Sequence, residues 1–153
     1  MERKKTRLSG YDYTKEAYYY VTLCTHRKMH LFGDVNNLNI FGKLAEDELL
    51  NIPKHFTGIQ IDKHVIMPNH LHAVIVIGCT DIIAGDKKYP SLSTIIGSYK
   101  SGVSRQIHRI KPDIKVWQTT FYDHIIRNEQ DYNEICRYID ENPAKWTGDE
   151  YYI

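Results

Sequence analysis

IQIDKHVIMPNHLHAVIVI, residues 59–77, holds two apolar-rich runs separated by Pro68-Asn69. Gly58 opens the first run, which reads as a strand from Ile59 to Met67. The second reads as a strand from His70 to Ile77, and the short turn between them makes an antiparallel hairpin. Alternate residues of a strand project to the same face, so the imidazoles of His70 and His72 point the same way. Two imidazoles side by side can bind one divalent cation. A third ligand must then come from elsewhere in the chain. The ordinary alternative is a histidine pair on a polar sheet face.

Outward from this hairpin, helices and strands alternate. Upstream, Asn36 and Asn37 cap a helix running to about Lys54, with Ile40, Phe41, Leu44, Ala45 and Leu49 at helical spacing. Before it, Glu16 to His26 is rich in aromatic and β-branched residues and reads as a strand. Downstream, Cys79 to Pro90 reads as a surface loop carrying Lys87 and Lys88. Ser91 caps a second helix whose buried stripe is Leu92, Ile95, Ile96, Tyr99, Val103 and Ile107. Val116 to Ile126 contains a further strand. A third helix spans roughly Glu129 to Asn142 and stops before Pro143, because residues preceding proline avoid helical geometry.

The first six elements match the split βαβ arrangement: a ferredoxin-like, RRM-like α+β fold with an antiparallel sheet and two helices on one face. The expected organisation is a single domain over residues 1–153, with residues 1–14 as a basic N-terminal arm. The third helix is extra, and against the open sheet face it would complete a site there. Tyr138 and Asn142 are spaced i, i+4 and share one helix face. They lie at the margin of an apolar side formed by Tyr132, Ile135, Cys136 and Ile139. A phenol is an oxygen nucleophile, and an amide oxygen is a fair ligand for a hard cation. Taken alone, Tyr138 is one of twelve tyrosines and Asn142 a helix-terminal residue.

Bulk composition narrows the classes. The 153 residues are 42% hydrophobic and 25% charged, as in an ordinary globular domain. Net charge is only +1, so charge alone gives no support for nucleic-acid binding. Cys24, Cys79 and Cys136 are far apart, with no zinc-like spacing, and read as reduced thiols. The first residues carry no apolar stretch, and the longest apolar run, Ala73 to Ile77, is too short for a bilayer. The expected location is cytoplasmic.

The histidine pair, the turn and the helical Tyr-x-x-x-Asn together resemble the HUH superfamily of single-stranded DNA transesterases. The match is closest to the small single-tyrosine transposases and the related REP-associated tyrosine transposases. Val65-Ile66-Met67-Pro68-Asn69-His70-Leu71-His72 looks like their metal-binding hairpin. Trp117-Gln118, Asp123-His124-Ile125-Ile126-Arg127 and Tyr138-Ile139-Asp140-Glu141-Asn142-Pro143 look like their C-terminal signature. Gly10-Tyr11-Asp12-Tyr13 and Leu31-Phe32-Gly33 fit how such chains open.

The resemblance implies a transposase that cuts and rejoins single-stranded DNA at hairpin-bearing element or repeat ends. Tyr138 would be the nucleophile, forming a covalent 5′-phosphotyrosine, with His70, His72 and Asn142 holding a divalent metal. Imidazoles lean toward zinc or another transition metal, but the resemblance implies magnesium or manganese. His124 and Arg127 fall in the signature, as a proton carrier or supporting partner and as a phosphate fork. Both have structural readings too. Phosphate contacts are expected from Arg3, Lys4, Lys5 and Arg7 in the arm and from Lys100, Arg105 and Arg109 on the second helix. A solvated helix face is the ordinary account of the last three. Tyr18, Tyr19 and Tyr20 can stack on unpaired bases, although strand packing accounts for most such residues. His64 supports the hairpin. Relatives of this kind include homodimers. Two other readings stay open: a non-catalytic, sheet-based nucleic-acid-binding module, and a hydrolase in which water attacks another phosphoester.

Overall fold

The computed structural model describes residues 17–78 and 89–148. The basic arm, the Gly10–Tyr13 motif and most of the Cys79–Pro90 loop lie outside the described residues. Seven elements carry the architecture: β1 (Ala17–Cys24), α1 (Ile40–Leu50), β2 (Ile59–Met67), β3 (His70–Ile77), α2 (Leu92–His108), β4 (Tyr122–Ile126) and α3 (Glu129–Glu141). The sheet order is β2-β3-β1-β4, antiparallel throughout. This is the expected split βαβ sheet with the third helix appended.

Strand alternation divides the sheet. Tyr19, Val21 and Leu23 of β1 and Leu71, Ala73, Ile75 and Ile77 of β3 join Phe41, Ala45 and Leu49 of α1 in one core. The stripe Leu92, Ile95, Ile96, Tyr99, Val103 and Ile107 of α2 is buried in the same core. All eight residues of β3 are buried. A central strand covered on both faces reads as a near-continuous apolar run, which is why the alternation is muted after His72.

Helix ends follow local chemistry. Ser91 Oγ accepts from Thr94 N and starts α2. Asn128 Oδ1 accepts from Asp131 N at the start of α3, and Asn142 is its C-cap before Pro143. The start of α1 departs from the expected position. Its cap is Asn39, whose Oδ1 accepts from Gly42 N, rather than Asn36 or Asn37. Asn36 instead takes the left-handed conformation, φ 58°, in a tight turn between the two-residue strands Gly33–Asp34 and Asn37–Leu38. Short polar side chains tolerate that conformation.

Gly33 is required beside it. Its φ is +103°, and a Cβ there would meet Asn39 N at 2.6 Å. The end of α1 also differs, at Leu50 rather than near Lys54. Pro53 has no N–H to continue the ladder, and Ile52–His55 forms a separate single turn. Ile40, expected on the buried face, is 57% exposed at the first position of the helix.

Candidate active site

α3 crosses the sheet face opposite α1 and α2. Three polar contacts hold it there. Lys63 Nζ lies 2.7 Å from Asp140 Oδ1, His124 Nε2 lies 2.7 Å from Asp131 Oδ2, and the Tyr132 hydroxyl donates to Asp62. Tyr18 of β1 meets the Tyr132 ring edge-on at 5.9 Å. Of the expected apolar side, Ile139 is fully buried, while Tyr132, Ile135 and Cys136 are half-buried. The hydrophobic seam is narrow, and polar contacts supplement it.

Toward the far end of α3, Tyr138 comes together with the two histidines. His70 and His72 have no solvent exposure, and their rings lie 4.7 Å apart. Tyr138 lies edge-on to His72 at 5.3 Å between ring centroids and is 40% exposed. One turn later Asn142 is buried. Nε2 of both histidines and Oδ1 of Asn142 are sealed from solvent.

Each imidazole is oriented from behind. His70 Nδ1 donates to Asn69 Oδ1 at 2.7 Å. An amide oxygen only accepts, so Nδ1 carries the proton and Nε2 the lone pair. His72 Nδ1 lies 2.9 Å from the Tyr20 hydroxyl and 2.8 Å from Thr22 Oγ1. The register makes this possible, since Thr22 is directly opposite His72 on β3. Burial, with the charge of His70 second, pushes the His72 pKa well below the usual histidine value. A neutral imidazole is the form that binds metals.

The turn before the histidines is also anchored. Thr25 donates from both N and Oγ1 to the Asn69 carbonyl, at 3.0 and 3.1 Å, and Phe32 N donates to Pro68 O. Trp146, just past α3, stacks on His70 with centroids 6.0 Å apart. Among the described residues no group of three or more His, Cys, Asp or Glu is arranged to hold a metal. A cation held by the two imidazoles would therefore need a further ligand of another kind.

The other expected residues separate clearly. His124 shares the sheet face of Tyr20, its partner across β1 and β4, and is spent on Asp131. Arg127 stands at the start of α3, away from the histidines, in the wall of a surface cavity. Lys100 is turned inward, its Nζ donating to the Gln118 carbonyl at 2.7 Å, and burial lowers its pKa. Arg105 and Arg109 are exposed on α2, in the layer opposite Tyr138. Arg3, Lys4, Lys5 and Arg7 lie outside the described residues.

His64 bonds Glu46 of α1, so it ties the sheet edge to the opposite layer. Trp117 packs against Phe32 and Tyr99, and its Nε1 donates to the Lys100 carbonyl. Its place in the signature is explained by bracing. Sequence reasoning missed Tyr20, Thr22, Asn69 and Trp146 as supports of the histidines. The period-two alternation of β1 puts Tyr20 and Thr22 on one sheet face, but only the cross-strand register sets them at His72.

Over 170 aligned positions, spanning 99% of the chain, 34% of residues are identical to those of an uncharacterized protein of Haemophilus influenzae, 93% of which is covered. One solved structure, a REP-associated tyrosine transposase bound to a REP hairpin, matches 95% of this chain and 74% of its own at TM-score 0.62 and 19% identity. The chain belongs to the Haemophilus protein's family and has the single-tyrosine HUH transposase fold. A second structure, a provisionally assigned transposase of Deinococcus radiodurans, covers 92% of the chain and 97% of its own at TM-score 0.54 and 16% identity. No protein-family model matches. In this HUH fold the described residues include no helix long and apolar enough to cross a membrane.

Proposed function

We propose that this protein is a transposase that cuts and rejoins single-stranded DNA through a covalent bond to Tyr138. The observation that carries this reading is the convergence of a half-exposed phenol with two buried, oriented imidazoles. The hairpin-bound neighbour supports a hairpin-bearing DNA end as substrate. Element ends and dispersed genomic repeats both present such hairpins.

The donors suit a divalent cation. Both imidazoles are shut away from water, His70 presents its Nε2 lone pair, and Asn142 contributes a neutral oxygen. Magnesium or manganese held by His70, His72 and Asn142 would offset charge on the nonbridging phosphate oxygens. All three ligands are neutral, so they leave the charge of the ion undiminished. The residues of the chain do the rest. Tyr138 Oη forms a bond to phosphorus as the bond from phosphorus to the 3′ oxygen breaks. The phenol proton is released, and the departing 3′ oxygen takes one up. The DNA keeps its phosphoester bond in the 5′-phosphotyrosine, so rejoining needs no nucleotide cofactor. Tyr138 is exposed enough to be approached by a strand, whereas the histidines act from a dry floor.

The test uses hairpin oligonucleotides from the DNA flanking the gene, labelled on the 3′ side, with manganese or magnesium. The expected result is a labelled protein band that survives boiling in detergent, disappears with EDTA, and is absent in Tyr138→Phe. Hairpin binding without any such band would leave a binding module instead. Turnover retained by Tyr138→Phe but lost in His70→Ala would point to water as the nucleophile.

A further inference from the structure

The tyrosines of β1 have three different surroundings. Tyr19 is in the core with no exposure, Tyr20 is bound to His72, and Tyr18 is 43% exposed. Tyr18 stands in the wall of an open cavity of about 430 Å³ with Ile126, Arg127, Asn128, Glu129 and Tyr132. That volume lies within the range of small-ligand sites. Two tyrosine rings meet edge-on in it, and the Tyr132 ring is pinned through its hydroxyl by Asp62. Asn128 is fixed as the α3 cap. The walls are therefore largely preformed. Arg127 brings a planar guanidinium, which matches a phosphate. Glu129 brings a carboxylate, which repels phosphate but accepts from a base N–H, such as N3–H of thymine.

We infer that this cavity holds one unpaired nucleotide of single-stranded DNA, its base against Tyr18 and its phosphate on Arg127. The cavity and the proposed nucleophile share one helix. Tyr132 and Tyr138 are six residues apart, which is about 9 Å along α3. A strand entering the cavity thus passes next to the site on the same sheet face. The inference deepens the transposase reading and rests on it, since it assigns a base-binding pocket to a strand whose cut site is at Tyr138.

The test is fluorescence anisotropy with EDTA present, using Tyr138→Phe protein so that no cleavage intrudes. The probes are labelled dT10, a ten-unit abasic strand of the same charge, and a ten-base-pair duplex. Base stacking on an aromatic ring is typically worth enough to change affinity roughly 5- to 100-fold. Adding Tyr18→Ala should weaken dT10 binding by about tenfold or more and leave the abasic strand unchanged. Tyr18→Phe should restore dT10 binding. Arg127→Ala should weaken dT10 and the abasic strand alike. Equal binding of dT10 and the abasic strand overturns the inference, as does an equal loss on dT10 and duplex in Tyr18→Ala. Melting curves of each variant identify a loss caused by misfolding, and in that case Tyr18→Phe and Arg127→Ala decide. Loss of the covalent adduct reading would come from the detergent-resistant band, not from anisotropy, so the two failures are separable.

Discussion

Leu71, Ala73, Ile75 and Ile77 leave β3 on one side for a dry apolar core, whereas His70 and His72 leave it on the other for polar partners. The first side is covered by two helices with broad apolar stripes. The second is covered by one helix that buries a single isoleucine completely and is otherwise held by an ion pair, a histidine–aspartate contact and a tyrosine–aspartate hydrogen bond. Burial of apolar area dominates folding free energy, while exposed charge contacts contribute little. The difference teaches a division of labour. One face supplies stability, and the other holds buried polar groups in fixed orientations.

This contrast can be broken by substitution. The largest effect is expected from Ile75→Ala on the helix-packed face, which removes a fully buried side chain. It should cost about 2–5 kcal/mol in denaturant unfolding, with adduct formation per folded molecule unchanged. A smaller cost than that of His72→Ala would show that stability is not concentrated on the apolar side.

Next comes the double variant Tyr20→Phe with Thr22→Val, which strips both hydroxyls from behind His72 while keeping shape. Partners that orient a metal-binding histidine typically matter by about 10- to 100-fold in affinity or activity. The expected outcome is a loss of that order in adduct yield, recovered in part by raising manganese, with little change in melting. Unchanged manganese dependence would sever the hydroxyls from the function of His72.

The smallest effect belongs to Lys63→Met. Its partner Asp140 is largely exposed, and solvent screens such pairs to at most about 1 kcal/mol. A loss well beyond that in unfolding would mean that the ion pair, rather than Ile139 and its neighbours, holds α3 on the sheet.

The sequence made much of this contrast legible, for physical reasons. Period two in β3 put His70 and His72 on one face, and the i, i+4 spacing put Tyr138 and Asn142 on one face of a helix; that the two meet was implied by the family resemblance. These are local geometric rules, and they survive folding. Cross-strand register is not local. Nothing within β1 says that Thr22 will stand opposite His72, or that Tyr20 rather than Tyr18 will reach its ring. The same limit explains Lys100, which has the spacing of a solvated helix face but finds loop carbonyls from 18 and 20 residues away. The start of α1 was misread because three asparagines stand close together, and only tertiary context selects Asn39 over the left-handed Asn36.

One irregularity in β2 has a further meaning. Ile61 pairs with Ile75 and Lys63 with Val74, so Asp62 is an extra residue in the ladder. Excising it in thought joins Ile61 to Lys63 in an ordinary strand, with every remaining side chain on its present side. The hydrogen-bonded ribbon thus has no need of Asp62. It reads as a one-residue insertion whose carboxylate serves as a handle for Tyr132, showing how a strand can hold a helix across its open face without re-registering the core.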